Sequence, residues 1–154
     1  MNYSSENIRN IAIIGHSGEG KTTLCEAMLF NGGAIDRMGK VTDGSTVSDF
    51  DELEKAKKMS MYTSCSYLVW KDVKINLLDL PGFYDFEGER HEGLRAAGGA
   101  LLVIGANGSI PIGAESVVEY CLKIGKPLII FINGNFLSTP QSYRKSQRFL
   151  YPYH

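Results

Sequence analysis

The stretch that decides the fold reads Gly15-His16-Ser17-Gly18-Glu19-Gly20-Lys21-Thr22. It matches the phosphate-loop pattern G-x-x-x-x-G-K-[ST], in which glycines let successive backbone N–H groups point inward at phosphate oxygens. An isoleucine-rich run at residues 11–14 precedes the loop, and a helical pattern begins at Lys21. A strand, a glycine-rich loop and a helix N-terminus in this order predict a phosphate-binding site.

The loop residues have separate expected roles in such a site. Lys21 would reach the β- and γ-phosphates of a nucleotide, and the Thr22 hydroxyl would bind Mg²⁺. Backbone N–H groups of residues 17–21 would hold phosphate oxygens, supported by the partial positive charge of the helix N-terminus. The alternative, an ordinary glycine-rich turn beside a surface lysine, is disfavoured by the strand and the helix that flank the loop.

A second motif, Asp79-Leu80-Pro81-Gly82, lies at the end of another predicted strand. Asp79 would hold Mg²⁺ through water, and the N–H of Gly82 would approach the γ-phosphate. Taken alone, an aspartate that opens a Pro-Gly turn is common. Its combination with the upstream phosphate loop favours the magnesium interpretation.

Alternation and helical periodicity divide the rest of the chain into elements. Residues 62–70 and 73–78 alternate around Lys71-Asp72 and predict an antiparallel hairpin, whereas residues 35–60 predict a long mobile loop. Further along, we expect helices at 87–97 and 114–124 and buried strands at 100–104 and 127–132. These elements predict an α/β P-loop NTPase fold, with a doubly wound, mostly parallel sheet that includes one antiparallel hairpin strand.

Composition and charge exclude several classes of protein. The 154 residues are 44% hydrophobic and 21% charged, as in folded domains, and 16 basic against 17 acidic side chains give a net charge of −1. Without a net positive charge, no non-specific nucleic-acid binding is expected. No apolar run approaches the ~20 residues of a membrane span, so no membrane association is expected. Cys25, Cys65 and Cys121 lack paired spacing and are predicted to be reduced, partly buried thiols of a cytoplasmic protein.

Several blocks of the sequence resemble the translational GTPases, most of all the amino-terminal G domain of elongation factor G and its paralogues. These blocks lie in register at residues 7–16, 20–23, 26–39, 41–44, 70–71, 74–82, 85–86, 89, 110–115 and 125–127. The resemblance implies a GTPase of translation elongation that binds GTP or GDP with Mg²⁺ and acts on the ribosome. It also implies that the γ-phosphate orders residues 35–60 and 79–92, which hydrolysis then releases.

Two positions depart from the family where it binds metal and activates water. Ser60 stands where the family has a threonine that ligates Mg²⁺, and its hydroxyl lets the resemblance assign it to the metal with Thr22 and Asp79. Phe83 occupies the place of the histidine that orients the attacking water. Because a phenyl ring cannot form that hydrogen bond, the catalytic residue is unknown and hydrolysis is expected to be slow or to use another group. His16 and His91 are alternatives by residue type, and we expect neither to serve.

The guanine-reading motif is also altered. The family has Asn-Lys-x-Asp, whereas this chain has Asn133-Gly134-Asn135-Phe136. The missing lysine and aspartate remove charged contacts to the base, so the resemblance implies guanine binding through Asn133 with weak selectivity. Asn135 is a possible source of neutral amide contacts.

The resemblance ends near residue 133 and divides the chain into a partial G domain, residues 7–135, and an atypical tail, residues 136–154. We expect the sheet to be incomplete at its C-terminal end, with an exposed apolar edge on the strand at 127–132. Besides a hydrolysing GTPase, two alternatives stay open: a nucleotide-binding module with little or no hydrolysis, and a non-functional truncated remnant.

Overall fold

A computed structural model describes residues 3–48, 62–82, 87–106 and 113–134 of the chain. Within these ranges lie five strands, three α-helices and two single turns of 3₁₀ helix, the latter at Ser5–Asn7 and Val41–Asp43. In chain order, the main elements are β1 (Ile8–Ile14), α1 (Lys21–Asn31), β2 (Ser64–Trp70), β3 (Val73–Asp79), α2 (Glu87–Ala96), β4 (Gly99–Gly105), α3 (Ala114–Lys123) and β5 (Leu128–Asn133).

The strands form one mostly parallel sheet in the order β2-β3-β1-β4-β5. β1 pairs in parallel with β3 and β4, β4 pairs in parallel with β5, and β2 pairs antiparallel with β3. The turn between β2 and β3 places Lys71 at φ 48° and Asp72 at φ 65°. Two left-handed residues give a hairpin turn whose twist suits the flanking strands. The predicted sheet, with its one antiparallel strand, is confirmed.

The central strand β1 is covered on both faces. Ile13 and Val103 belong to a core cluster with the buried residues of α1. Ala12 and Leu102 belong to a second cluster, on the other face, with Leu94 of α2 and Cys121 of α3. Parallel strands buried on both faces are typical of doubly wound α/β folds.

β1 begins at Ile8, earlier than the apolar run at residues 11–14 suggests. The polar residues Arg9 and Asn10 still pair with β3. The side-chain amide of Asn76 donates to Asn10 Oδ1 at 2.7 Å and links the two strands. A polar hydrogen-bonded pair therefore extends the strand beyond its buried part.

The strand predicted at residues 127–132 is present as β5, but the prediction that this strand is buried is wrong. In the described part of the sheet, β5 lies at the edge and pairs with β4. Ile129 is 68% exposed and Phe131 is 38% exposed. Strand order follows from long-range pairing, so a short apolar run does not reveal whether its strand is central or at an edge. The expected exposed apolar edge is present among the described residues.

Other predictions are met in part or lie outside the described ranges. The loop predicted at residues 35–60 is described as far as residue 48, where Thr46 and Ser48 are buried. Cys25 and Cys121 are buried as expected, but Cys65 is exposed. Ser60, Phe83 and residues 136–154 lie outside the described residues. Among the residues that the structure describes, no helix has both the length and the apolar character to cross a membrane.

Candidate functional site

The glycine-rich loop connects β1 to α1 at the carboxyl ends of the parallel strands. Gly20 directly precedes α1 with φ +89°, and its carbonyl accepts the first helical hydrogen bond from Leu24 N–H at 2.9 Å. A Cβ at residue 20 would also collide with Asn133 Nδ2. Both the backbone conformation and the available space therefore require glycine here.

Lys21 and Gly82 meet beside the loop. Lys21 is 7% exposed, and its ammonium group donates to the carbonyl oxygen of His16 at 3.1 Å. A Cβ at Gly82 would lie 2.5 Å from Lys21 Nζ and 2.7 Å from Ser17 N. The absence of a side chain at residue 82 thus leaves room where an ammonium group and a backbone nitrogen converge, a combination suited to phosphate oxygens.

Thr22 and Asp79 meet on the other side of the same turn. The Thr22 hydroxyl donates to Asp79 Oδ2 at 2.8 Å, and Asp79 is 2% exposed. Parallel pairing aligns Asp79 with Ile13, which brings the end of β3 next to the start of the loop. A hydroxyl and a carboxylate are hard oxygen ligands of the type that Mg²⁺ prefers, so this donor set fits the ion.

Burial and the charges of this region shift the pKa of the Cys25 thiol. Burial raises its pKa far above the ordinary value of 9.0, the negative charge of Asp79 adds to the effect, and the positive charge of Lys21 opposes it. A thiol under these conditions stays protonated at neutral pH. Cys25 is therefore a packing residue under the site rather than a nucleophile.

Asn133 lies at the end of β5 and contacts the loop from a third side. The side-chain amide of Asn133 donates to the carbonyl oxygen of Glu19 at 2.9 Å. The backbone carbonyl of Asn133 accepts from Ala106 N–H at 2.7 Å. These bonds bring the predicted base-reading asparagine against the phosphate loop. The side-chain bond uses the amide nitrogen of Asn133, whereas its Oδ1 is an acceptor.

The structure brings most predicted site residues together. Around the β1–α1 connection it gathers Gly15, His16, Ser17, Gly18, Glu19, Gly20, Lys21, Thr22, Thr23, Asp79, Gly82 and Asn133. The His16 ring bonds within the loop, since its Nδ1 donates to Ser17 O at 2.9 Å. The His91 ring stacks on Tyr120 at a centroid distance of 4.3 Å. Both histidines therefore have contacts within the fold.

Sequence reasoning missed one buried charge near the site. Glu26 on α1 is 1% exposed and accepts hydrogen bonds from the backbone N–H groups of Gly39 and Val47. Helical periodicity gave no sign of this, because glutamate inside an amphipathic helix normally faces solvent.

The family model described as "Elongation factor Tu GTP binding domain" matches residues 6–134, a range that contains all five strands. This chain belongs to that family.

Similar proteins agree with the assignment to this GTP-binding domain. An elongation factor G-like protein of Mycobacterium tuberculosis is 42% identical over 125 residues, which are 81% of this chain and 18% of the relative. The tetracycline resistance protein TetM of Enterococcus faecalis is 37% identical over 126 residues, which are 82% of this chain and 20% of TetM.

A solved structure shares the same architecture. A crystal structure of a protein from Thermus thermophilus superposes with a TM-score of 0.82 and 31% sequence identity, covering 93% of this chain and 22% of that chain. The chain thus spans about a fifth of the length of these relatives. It corresponds to the amino-terminal G domain of a translational GTPase.

Proposed function

We propose that this chain is the nucleotide-binding domain of an elongation factor G-like translational GTPase, binding GTP and GDP with Mg²⁺. The observation that carries the proposal is the convergence of Lys21 Nζ and Ser17 N on Gly82 beside the Thr22–Asp79 pair. The curated relatives named elongation factor G-like protein and TetM support the class of protein. The ribosome is the proposed partner, which implies a cytoplasmic location.

Each group has a proposed task. Lys21 and the backbone N–H groups of residues 17–21 hold the phosphates, and Gly82 lets the γ-phosphate approach closely. Thr22, Asp79 and Ser60 are the proposed magnesium ligands, with Asp79 acting through water. Mg²⁺, when bound, neutralises negative charge on the phosphates.

Asn133 is the proposed contact to the base. Its amide nitrogen donates to Glu19 O, and its side-chain oxygen is the proposed acceptor for a donor group of the base. A single neutral hydrogen bond contributes about 0.5–1.5 kcal/mol, which corresponds to roughly a two- to tenfold preference. We therefore propose guanine selectivity well below that of a site with the family's aspartate.

Competition binding tests the proposal. GDP is titrated against ADP in Mg²⁺ buffer on the 154-residue chain, on Lys21→Ala, and on Lys123→Ala as a control for lysine loss, since Lys123 is exposed on α3. We expect a modest GDP preference, abolished binding in Lys21→Ala, and unchanged binding in Lys123→Ala. An equal affinity of all three proteins for GDP would contradict the assignment of the phosphate loop.

We also propose that the domain hydrolyses GTP slowly and that ribosomes stimulate it. A second candidate, a binding module with little or no turnover, is favoured by Phe83, whose ring cannot orient water. Steady-state phosphate release, measured with and without ribosomes on the wild type and on Phe83→His, separates the two. Stimulation of the wild type supports the enzyme, whereas turnover restricted to Phe83→His supports the binding module.

A further inference from the structure

A buried carboxylate outside the phosphate loop joins a surface segment to α1. Glu26 Oε2 accepts from Gly39 N–H at 2.8 Å, and Oε1 accepts from Val47 N–H at 2.5 Å. Glu26 is 1% exposed, so the carboxylate that accepts both bonds is buried. One side chain thus holds the two ends of residues 39–47, which we name the clasped segment.

The clasped segment is a closed turn. Asp43 N–H and Ser45 N–H donate to Lys40 O at 3.1 and 3.3 Å, and Lys40 N–H donates to Ser45 Oγ at 3.0 Å. A Cβ at Gly39 would lie 2.7 Å from the carbonyl carbon of Ser45 and 2.8 Å from Thr46 Cα, so the two arms of the turn touch. A turn with its own hydrogen bonds moves as a unit when its anchor is lost.

The anchor lies one helical turn from a proposed magnesium ligand, Thr22. Glu26 follows Thr22 by one turn of α1, and residues spaced by four share a helix face. Helical side chains also lean toward the helix N-terminus, which brings the Glu26 carboxylate toward the Thr22 level. Independently, the charges of Asp79, Lys21 and Glu26 all influence the pKa of Cys25, after the larger effect of burial.

We propose that Glu26 is a positioning residue that holds the clasped segment as a wall beside the nucleotide site and thereby sets how fast bound GDP leaves. The inference rests on the proposed function, because it assumes that the neighbouring site holds GDP with Mg²⁺. A carboxylate suits this task since it offers two acceptor oxygens to two N–H donors. Glutamine has nearly the same shape but presents one acceptor and one donor, so it keeps one bond and opposes the other.

Two variants release the clasp from opposite sides. Glu26→Gln alters the anchor on α1, and Gly39→Ala forces the turn apart by a backbone collision while leaving α1 unchanged. Two further variants serve as controls. Glu119→Gln removes an exposed carboxylate from α3, and Leu128→Ala weakens the core on the opposite face of the sheet. Release of a fluorescent GDP analogue and hydrogen exchange at the Gly39 and Val47 amides are measured on the 154-residue chain with each substitution.

We expect both clasp variants to release GDP roughly tenfold faster, with little change in the association rate and with faster exchange at the two amides. The two controls keep the wild-type release rate, even though Leu128→Ala lowers the melting temperature. Fast amide exchange with an unchanged release rate in either clasp variant overturns the inference and leaves the proposed function intact. Failure of the wild-type chain to bind GDP overturns the proposed function and this inference with it.

Discussion

The side-chain amide of Asn133 donates to the carbonyl oxygen of Glu19 at 2.9 Å and so joins the end of β5 to the phosphate loop. The same amide nitrogen lies where a Cβ at Gly20 would be placed. The base side and the phosphate side of the proposed site are thus mechanically linked through one residue. A change at Asn133 is therefore expected to affect phosphate binding as well as base recognition.

Asn133→Ala is expected to weaken binding of both GDP and ADP through the lost bond to the loop, and to weaken GDP binding further through the lost contact to the base. The lost hydrogen bond to the loop contributes about 1 kcal/mol, or roughly a fivefold change in affinity. Isothermal titration calorimetry with GDP and with ADP measures the two dissociation constants. Asn31→Ala is the control, because Asn31 is exposed and its side chain donates to Ala27 O within α1. A loss confined to GDP would mean that Asn133 acts on the base and not on the loop.

Gly82→Ala is expected to abolish tight nucleotide binding without unfolding the domain. The added methyl group would lie 2.5 Å from Lys21 Nζ and 2.7 Å from Ser17 N, so it displaces the groups proposed to hold phosphate. Loss of a charge-assisted contact of about 3 kcal/mol lowers affinity roughly a hundredfold. Gly88→Ala is the control, since nothing lies within 4 Å of a Cβ at this exposed position in α2. Equal GDP affinities of the two variants would contradict the role given to Gly82.

Local patterns predicted the parts of this fold that depend on neighbouring residues. The phosphate loop and the hairpin at Lys71-Asp72 lie where the sequence placed them, because both depend on short-range backbone conformation. The bonds from Glu26 to Gly39 and Val47 were not predictable in this way. Glu26 bonds to residues 13 and 21 positions away in the chain, and such pairings depend on the assembled fold rather than on periodicity.

The same contrast holds within the candidate site. Motif spacing predicted that Lys21, Thr22, Asp79 and Gly82 belong together, and the structure places them in contact. It did not predict that Asn133 would bond to the loop, because that bond requires β5 to lie beside β4 in a set register. Sequence motifs thus predicted which residues lie together, while sheet order determined which distant residue contacts the loop.

The three thiols are expected to differ in reactivity. Cys65 is exposed, whereas Cys25 and Cys121 are buried and burial raises the pKa of both. At pH 8, a thiol reagent should therefore modify Cys65 in the native protein and all three cysteines in denaturant, as mass spectrometry of the labelled peptides would show. Rapid native labelling of Cys25 would contradict its burial beneath the site.

The raised pKa of Cys25 also predicts a loss of stability in alkaline solution. At a pH below 9.0, the ordinary pKa of the thiol, Cys25 is protonated in both the folded and the unfolded chain. Above that pH the unfolded chain releases the proton and the folded chain retains it, so the free energy of unfolding falls by about 1.4 kcal/mol per pH unit. Urea unfolding between pH 8 and 10 measures the slope. Cys25→Ala should have a shallower slope, and an unchanged slope would contradict the assignment.

Ile129→Thr is expected to reduce self-association with little effect on stability. Ile129 is 68% exposed on the edge strand β5, and threonine keeps a β-branched side chain suited to a strand. Ile130→Thr is the matched control, because Ile130 packs against the core cluster on the opposite face. That control should lower the free energy of unfolding by about 1 kcal/mol and leave association unchanged. Light scattering coupled to size exclusion at high concentration measures the monomer fraction. The expectation rests on the tendency of exposed apolar edges to pair with another chain. An equal monomer fraction for wild type and Ile129→Thr would show that the chains do not associate through this part of β5.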